Sequence, residues 1–551
     1  MVPVHSVPDG QIGRRVMLRT AGAGVGVLAA SAILSACSPP PREADAGSEG
    51  KTATRGTDTP IDSLTLALPS SISTLDASRE SGILNYVVAA LVQESLLSVG
   101  PAGELKPGLA ESWKQPDATT YVYTLRRDAR FSDGSTVTTD DVLASVQAAR
   151  DDSSALAYAW AGVTSVKATG AREITIRLAE PDAAFAWTPT PGTLLISSRA
   201  FLTRNKGSVG TPKTLLLGSG PYKVTSFAAD DHVSLERNDA WWGGKPSLKR
   251  LKLSFIPDAG TRLVAMKSGS VDGALNLPSD EARSWESTAS VTYTGDRSVV
   301  ALAFDTSRAP FNDVHVRKAF AHAADRAGMT HGILHGKAEV AATLVSPDMW
   351  GDLLTADQVA EAYRALPTWD FDLEHAKAEL AKSAHGDGFT LDLSYPSSGP
   401  QLGKAALALA ASLKKLGITL DVKEVTLEQW IADLVPGRKP LQFLWYFPVT
   451  GDPAELTNAY LDASATATNL PRYDDTTVSD ALAAARKTTD RAERARHLMA
   501  AVKTAAAALP YLPLWWAQTA TALSKDLVLE EPGPFTLIGP WAARIKKTAA
   551  P

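Results

Sequence analysis

The chain has a single cysteine, Cys37, in 551 residues. No disulfide can form within it, so the fold must be held by packing alone. Its length allows this, because it lies well beyond the size at which one hydrophobic core divides into several domains. Apolar residues make up 44% of the chain and 13 residues are tryptophan. That composition suits globular domains with an aromatic-rich interior or cleft.

The surroundings of Cys37 carry a second message. Residues 21–34 are uncharged Ala, Gly, Val, Leu, Ile and Ser, preceded by Arg14, Arg15 and Arg19 and followed by Ser35-Ala36-Cys37. A basic start, a short apolar middle and small residues before a cut describe a secretory signal, too short for a membrane span. Leu34-Ser35-Ala36-Cys37 resembles the lipobox of bacterial lipoproteins, in which the thiol takes a lipid and becomes the new N-terminus. Arg14-Arg15-Val16-Met17-Leu18-Arg19 resembles a twin-arginine export signal, an ordinary basic leader being the plainer alternative. The expectation is a signal peptide over 1–36, lipidation at Cys37, and a Pro/Ala/Gly/Ser/Thr-rich tether over 37–62. The protein would then sit lipid-anchored on the extracytoplasmic face of a bacterial cell membrane. Loss of residues 1–36 takes the net charge from −5 to about −7. Mild acidity argues against nucleic acid as a partner and against a basic membrane-binding surface.

Beyond the tether, strand-like and helix-like segments alternate. Leu64, Leu66 and Leu68 read as a first strand, and residues 83–97 read as a helix. Tyr121, Tyr123 and Leu125 alternate with smaller neighbours before the turn Asp133-Gly134. Thr138 or Thr139 caps a helix with Asp140 and Asp141 in its first turn. Leu402, Ala405, Ala406, Leu409, Leu413 and Leu416 make one helical face. Gly417 ends it, and Ile418, Leu420 and Val422 follow as a strand. Ala-rich helices fill 480–508, and 509–517 reads as a buried strand despite Pro510 and Pro513. The pattern is α/β.

Several segments, in order, resemble one family. They include Tyr121-Val-Tyr-Thr-Leu-Arg-Arg-Asp-Ala-Arg-Phe-Ser-Asp-Gly134, Thr138-Thr-Asp-Asp-Val142, Gly218-Ser-Gly-Pro-Tyr-Lys-Val224, Leu235-Glu-Arg-Asn238 and Trp242-Gly-Gly-Lys-Pro246. Arg262-Leu-Val-Ala-Met-Lys-Ser-Gly-Ser-Val-Asp272, Ala303-Phe-Asp-Thr306, Pro310-Phe-Asn-Asp-Val-His-Val-Arg-Lys-Ala319 and Asp325-Arg326 complete the series. Together they resemble extracytoplasmic solute-binding protein family 5, the peptide and nickel type that serves ABC importers. Gly218, Gly220, Trp241 and Trp242 are read as scaffold.

The resemblance implies a two-lobed periplasmic-binding-protein fold, class II-like, with an extra subdomain on the first lobe. Lobe I takes 63–82, 190–297 and 510–551. The subdomain takes 83–189 and lobe II takes 298–509, with crossings near 298–304 and 509–514. The implied function is capture of oligopeptides by hinge closure and delivery to permease subunits, by a monomer needing no cofactor. The alternatives are a non-peptide apolar or metal-chelate ligand, or a cell-envelope regulator on the same fold. In dipeptide-specific members an aspartate holds the ligand ammonium and an arginine its carboxylate. Alignment puts Val449 and Gly399 at these positions, so both charge clamps are missing. A zwitterion buried without ionic partners loses several kcal/mol of hydration. A longer peptide or an uncharged ligand therefore fits better. Trp445, Tyr446, Phe447, Trp515 and Trp516 are the candidate lining residues, with core packing as the alternative. Asp452 is a candidate ammonium partner or a helix cap ahead of Pro453. Ser70 and Ser71 are candidate ligand contacts or loop surface.

His331 and His335 stand four apart, near His315 and His322, but no cysteine or placed carboxylate completes a metal site. No dinucleotide fingerprint follows the first strand, and Gly-x-Ser-x-Gly and His-Glu-x-x-His are absent. These absences, with Cys37 lipidated, argue against an enzyme.

Overall fold

The computed structural model describes residues 56–80 and 82–549. The signal, Cys37 and most of the tether lie outside them. The first strand is Ile61–Leu68, with Leu64, Leu66 and Leu68 buried. It lies inside a nine-stranded mixed sheet ordered Leu441–Tyr446, Ser290–Phe304, Tyr511–Leu523, Gly273–Pro278, Ile61–Leu68, Leu248–Phe255, His232–Arg237 and Tyr222–Ala228; the short strand Ala338–Val340 adds to Tyr511–Leu523. Two strands span both lobes. Residues 290–295 pair with 518–523 in lobe I, and 299–303 pair with 511–516 in lobe II.

Alternation along Ser290–Phe304 sorts the second lobe into two cores. Val300, Leu302 and Phe304 face the helices Val314–Ala323 and Pro400–Lys414. Val299, Ala301 and Ala303 face Thr476–Lys487 and Arg491–Ala508. A period of two on a strand buried on both faces produces this division. Thr390–Pro396, the helix Pro400–Lys414 and Thr419–Val425 form a parallel βαβ unit, with Gly417 at φ +80° where helix gives way to strand. Pro513 is accommodated because a bulge falls between Val300–Trp515 and Ala301–Pro513.

Two expected element ends move. The helix is Ile83–Val92, not 83–97, and its Leu84, Val87, Val88, Leu91 and Val92 belong to the lobe I core. The subdomain core starts at Leu96, takes in the strands Ala110–Asp117, Thr120–Leu125, Val163–Gly170 and Glu173–Leu178, and ends with Leu194 and Ile196. The strand expected over 509–517 is Tyr511–Leu523.

The motifs of lobe I join these parts. A Cβ on Gly218 would lie 1.9 Å from the Val92 carbonyl oxygen, so only glycine permits the approach. Just beyond, the partly buried Glu94 carboxylate accepts bonds from Ser219 Oγ (2.7 Å), Trp241 Nε1 (3.1 Å) and Trp242 Nε1 (3.0 Å). The Arg126 guanidinium lies 3.2 Å from the Trp242 ring centre. Thr138 caps Thr139–Ala149 through a capping box with Asp141.

Candidate ligand-binding site

The site begins at a break in the sheet. Between the pairs Gly295–Gln518 and Val299–Trp516, residues 296–298 face Ala517 alone. Three residues against one make a bulge, which re-aims the side chains it carries. Arg297 stands there at φ +63°, a conformation that non-glycine residues adopt uncommonly. Its side chain is buried, with 5% exposure, and its Nε and Nη1 have no hydrogen-bond partner. The guanidinium carbon sits 4.0 Å from the Phe535 ring centre. Burial pushes Arg297 down to about 10, against the opposing pull of Glu455, Asp296 and Asp348, so it stays a cation at neutral pH. None of these acids forms an ion pair with it within 4.0 Å.

Glu455 is already committed. It accepts from Tyr446 Oη (2.8 Å), Val449 N–H (3.0 Å), Thr450 N–H (2.8 Å) and Thr450 Oγ1 (2.6 Å). These bonds tie down the loop after Leu441–Tyr446. Burial pushes the carboxyls of Asp296 and Asp348 up. Asp296 Oδ1 accepts the Ser298 N–H at 2.8 Å.

Arg297 and Asp296 close one end of a cavity between the lobes. Its floor is the cross-strand pairs Thr292–Thr521 and Thr294–Thr519. Asn276, at φ +53° on a second bulge, adds an amide whose Oδ1 accepts from Thr519 Oγ1 (3.2 Å). Lobe I contributes apolar walls, including Ile83, Leu537 and Ile538, and lobe II contributes Phe447, Pro448 and Val449. The lobes touch there. A Cβ on Gly192 would lie 2.8 Å from the Val449 carbonyl oxygen, and one on Gly451 would lie 2.5 Å from Trp187. The cavity has a volume of about 100 Å³. A second cavity that shares Arg297 adds Ser346, Asp348, Trp516 and Gln518.

The candidates chosen from sequence scatter around this space. Phe447 lines the cavity and is 43% exposed. Trp516 lines the second cavity while its Nε1 donates to Thr343 O (3.1 Å). Trp515 is core, 1% exposed. Trp445 packs against Phe447, ring centres 5.6 Å apart, and over Gly399. Tyr446 packs edge-on to Tyr460 behind the loop. Asp452 is engaged twice, capping Pro453–Tyr460 through Ala454 N–H (2.8 Å) and pairing with Arg494 (2.7 Å). Ser70 and Ser71 are exposed and do not line the cavity. His331 bonds the Ala327 carbonyl and His315 pairs with Glu379, and no metal-holding group of three or more His, Cys, Asp or Glu occurs among the described residues.

Arg297, Asp296, Asn276 and the threonines escaped the sequence reading. The available signal was the charged pair Asp296-Arg297 interrupting a strand just ahead of the expected first crossing.

The comparisons now decide the family. The model for bacterial extracellular solute-binding proteins, family 5, matches residues 104–468. The chain belongs to that family. It is a substrate-binding protein of the ABC-importer type, and its relatives are binding proteins rather than enzymes. It is 26% identical over 441 residues to the probable D,D-dipeptide-binding periplasmic protein DdpA of Escherichia coli K12, covering 77% of this chain and 81% of DdpA. It is 25% identical over 478 residues to the glutathione-binding protein GsiB of the same strain, covering 84% and 90%. Among solved structures, AgaA from A. tumefaciens R10, in complex with agropinic acid, superposes with TM-score 0.73 at 25% identity, covering 89% of this chain and 99% of that one. CtaP of Listeria monocytogenes shares the fold with TM-score 0.77 at 19% identity, covering 89% and 100%. No helix among the described residues is long and apolar enough to cross a membrane.

Proposed function

We propose that this protein is the lipid-anchored receptor of an importer for short peptides or compact peptide-like solutes. The observation that carries this reading is the cavity between the lobes, floored by threonines and roofed by the Phe447-Pro448-Val449 loop. With that loop resting on Gly192, the remaining space suits a small molecule better than a long extended peptide. This narrows the oligopeptide expectation to its short end. The names of the relatives DdpA and GsiB, one a D,D-dipeptide binder and one a glutathione binder, agree with it. The lipid on Cys37 would hold the receptor near its permease, and no cofactor is called for.

The test is to purify residues 38–551, release bound solutes by denaturation for mass spectrometry, and titrate a ladder of peptides from two to eight residues. Short peptides raising the melting temperature, with affinity falling beyond about four residues, is the expected outcome. A single released non-peptide compound, with no peptide binding, would refute it. For the anchor, Cys37→Ser in the full chain should move the protein from the membrane to the soluble fraction.

A further inference from the structure

We infer that Arg297 is the specificity-determining residue of the cleft and that it receives an anionic group, a carboxylate, of the solute. This deepens the proposed function and rests on the same cavity. A guanidinium carries five N–H donors in a fixed fork that matches a carboxylate. A buried donor without an acceptor costs free energy comparable to a lost hydrogen bond, so buried arginines are ordinarily paired. Here Nε and Nη1 are both buried and unbonded in a residue 5% exposed that lines both cavities. The other buried arginines each make bonds through the guanidinium: Arg262 with Glu281, Arg494 with Asp452, Arg317 to the Ala508 and Phe311 carbonyls, and Arg326 to those of Ala341, Pro513 and Trp369, with only Nε left unbonded in Arg326 and Arg494.

The backbone adds a second observation. Arg297 is held at φ +63° on a three-against-one bulge where the long strands cross between lobes. Strain of this kind persists where the surroundings over-determine it, and it clusters at ligand clamps. The Phe535 ring lies against the guanidinium and holds it in place.

Three acids surround Arg297, and each is accounted for. Glu455 is saturated by four donors of its own loop. Asp296 takes the Ser298 N–H. Asp348 stands across the second cavity. They keep the guanidinium charged without occupying its fork.

The experiment compares acid and amide forms of one probe. Di- and tri-alanine with free C-termini, their C-terminal amides, and the acid and amide forms of any solute released from the purified protein are titrated against wild type, Arg297→Gln and Arg297→Lys. Melting temperature serves as the check on folding. In wild type the acid should bind about 10- to 100-fold more tightly than the amide, the size of a charge-assisted bidentate contact. Arg297→Gln should lose that preference and Arg297→Lys should keep part of it. Equal binding of acid and amide by wild type would overturn the inference and leave the short-peptide reading standing. Failure of the alanine peptides alongside Arg297-dependent binding of a released non-peptide acid would do the reverse. If neither alanine acid binds and no carboxylate compound is released, the inference falls as well.

Discussion

The ion pair between Asp452 and Arg494 separates a ligand contact from a structural one. Their side chains are 4% and 8% exposed, with nitrogen–oxygen contacts at 2.7 and 2.8 Å. Asp452 Oδ1 also caps the helix Pro453–Tyr460 through Ala454 N–H. Asp452→Asn retains a capping oxygen and removes the charge, leaving Arg494 buried without its counter-ion. Breaking one partner of a buried pair costs about 3–5 kcal/mol. A native fold has about 5–15 kcal/mol in total, so this single change takes a large share of it. Urea unfolding followed by tryptophan fluorescence should show the loss directly. Asp452→Leu with Arg494→Met should recover most of it, because an apolar replacement removes both charges from a buried site. Peptide affinity of the folded Asp452→Asn protein should stay within about threefold of wild type, under 1 kcal/mol. If Asp452→Asn unfolds at the wild-type urea concentration while peptide affinity collapses, Asp452 is a ligand contact and the structural argument fails.

Burial raises the Glu94 carboxyl above its value of 4.5, opposed by its bonds to Ser219, Trp241 and Trp242. The contribution of this group to stability is full below about pH 4.5 and is lost as pH rises through the folded value. Glu94→Gln should therefore flatten the difference in melting temperature between pH 4 and 8, and parallel curves for wild type and variant would refute this. Gly218→Ala should prevent soluble expression or cost more than about 3 kcal/mol, since its Cβ would lie 1.9 Å from the Val92 carbonyl oxygen in rigid backbone. Wild-type melting of Gly218→Ala would show that this junction yields. Tyr446→Phe removes a donor to Glu455 (2.8 Å) and should cost about 1.5–3 kcal/mol. By loosening the loop that closes the cleft it should also speed ligand release in stopped-flow, and an unchanged release rate would count against the loop's role.

Secondary structure was legible wherever period and capping agreed. The box at Thr138, the helix–Gly417–strand unit and the first strand all follow from residue spacing. The misplaced helix end has a local cause. Gln93 and Glu94 continue a helical pattern on paper, but Glu94 is drawn into the indoles of Trp241 and Trp242, nearly 150 residues away. The strand expected over 509–517 runs on to Leu523, because a bulge accommodates Pro513. The family motifs proved to be joints. Gly218 fits against Val92, and Trp241 and Trp242 hold Glu94.

The ligand space was not legible for a different reason. Its parts come from Asn276, from Thr292 to Arg297, from Phe447 to Val449 and from Thr519 and Thr521, and no local pattern unites them. What unites them is the pair of strands shared by both lobes, and this has a mechanical consequence. A solute held by Arg297 sits on the crossing strands, and the Phe447-Pro448-Val449 loop reaches the same cavity from the other lobe. Contacts made only in the closed form are the ones that shift the open–closed equilibrium, because a ligand moves it only by its differential affinity for the two states. A cation placed on either lobe's face would add affinity to both forms. A cation on the strands between them is likewise open to solute in both forms, so the differential affinity that drives closure falls to the Phe447-Pro448-Val449 loop, while Arg297 sets which solute is held.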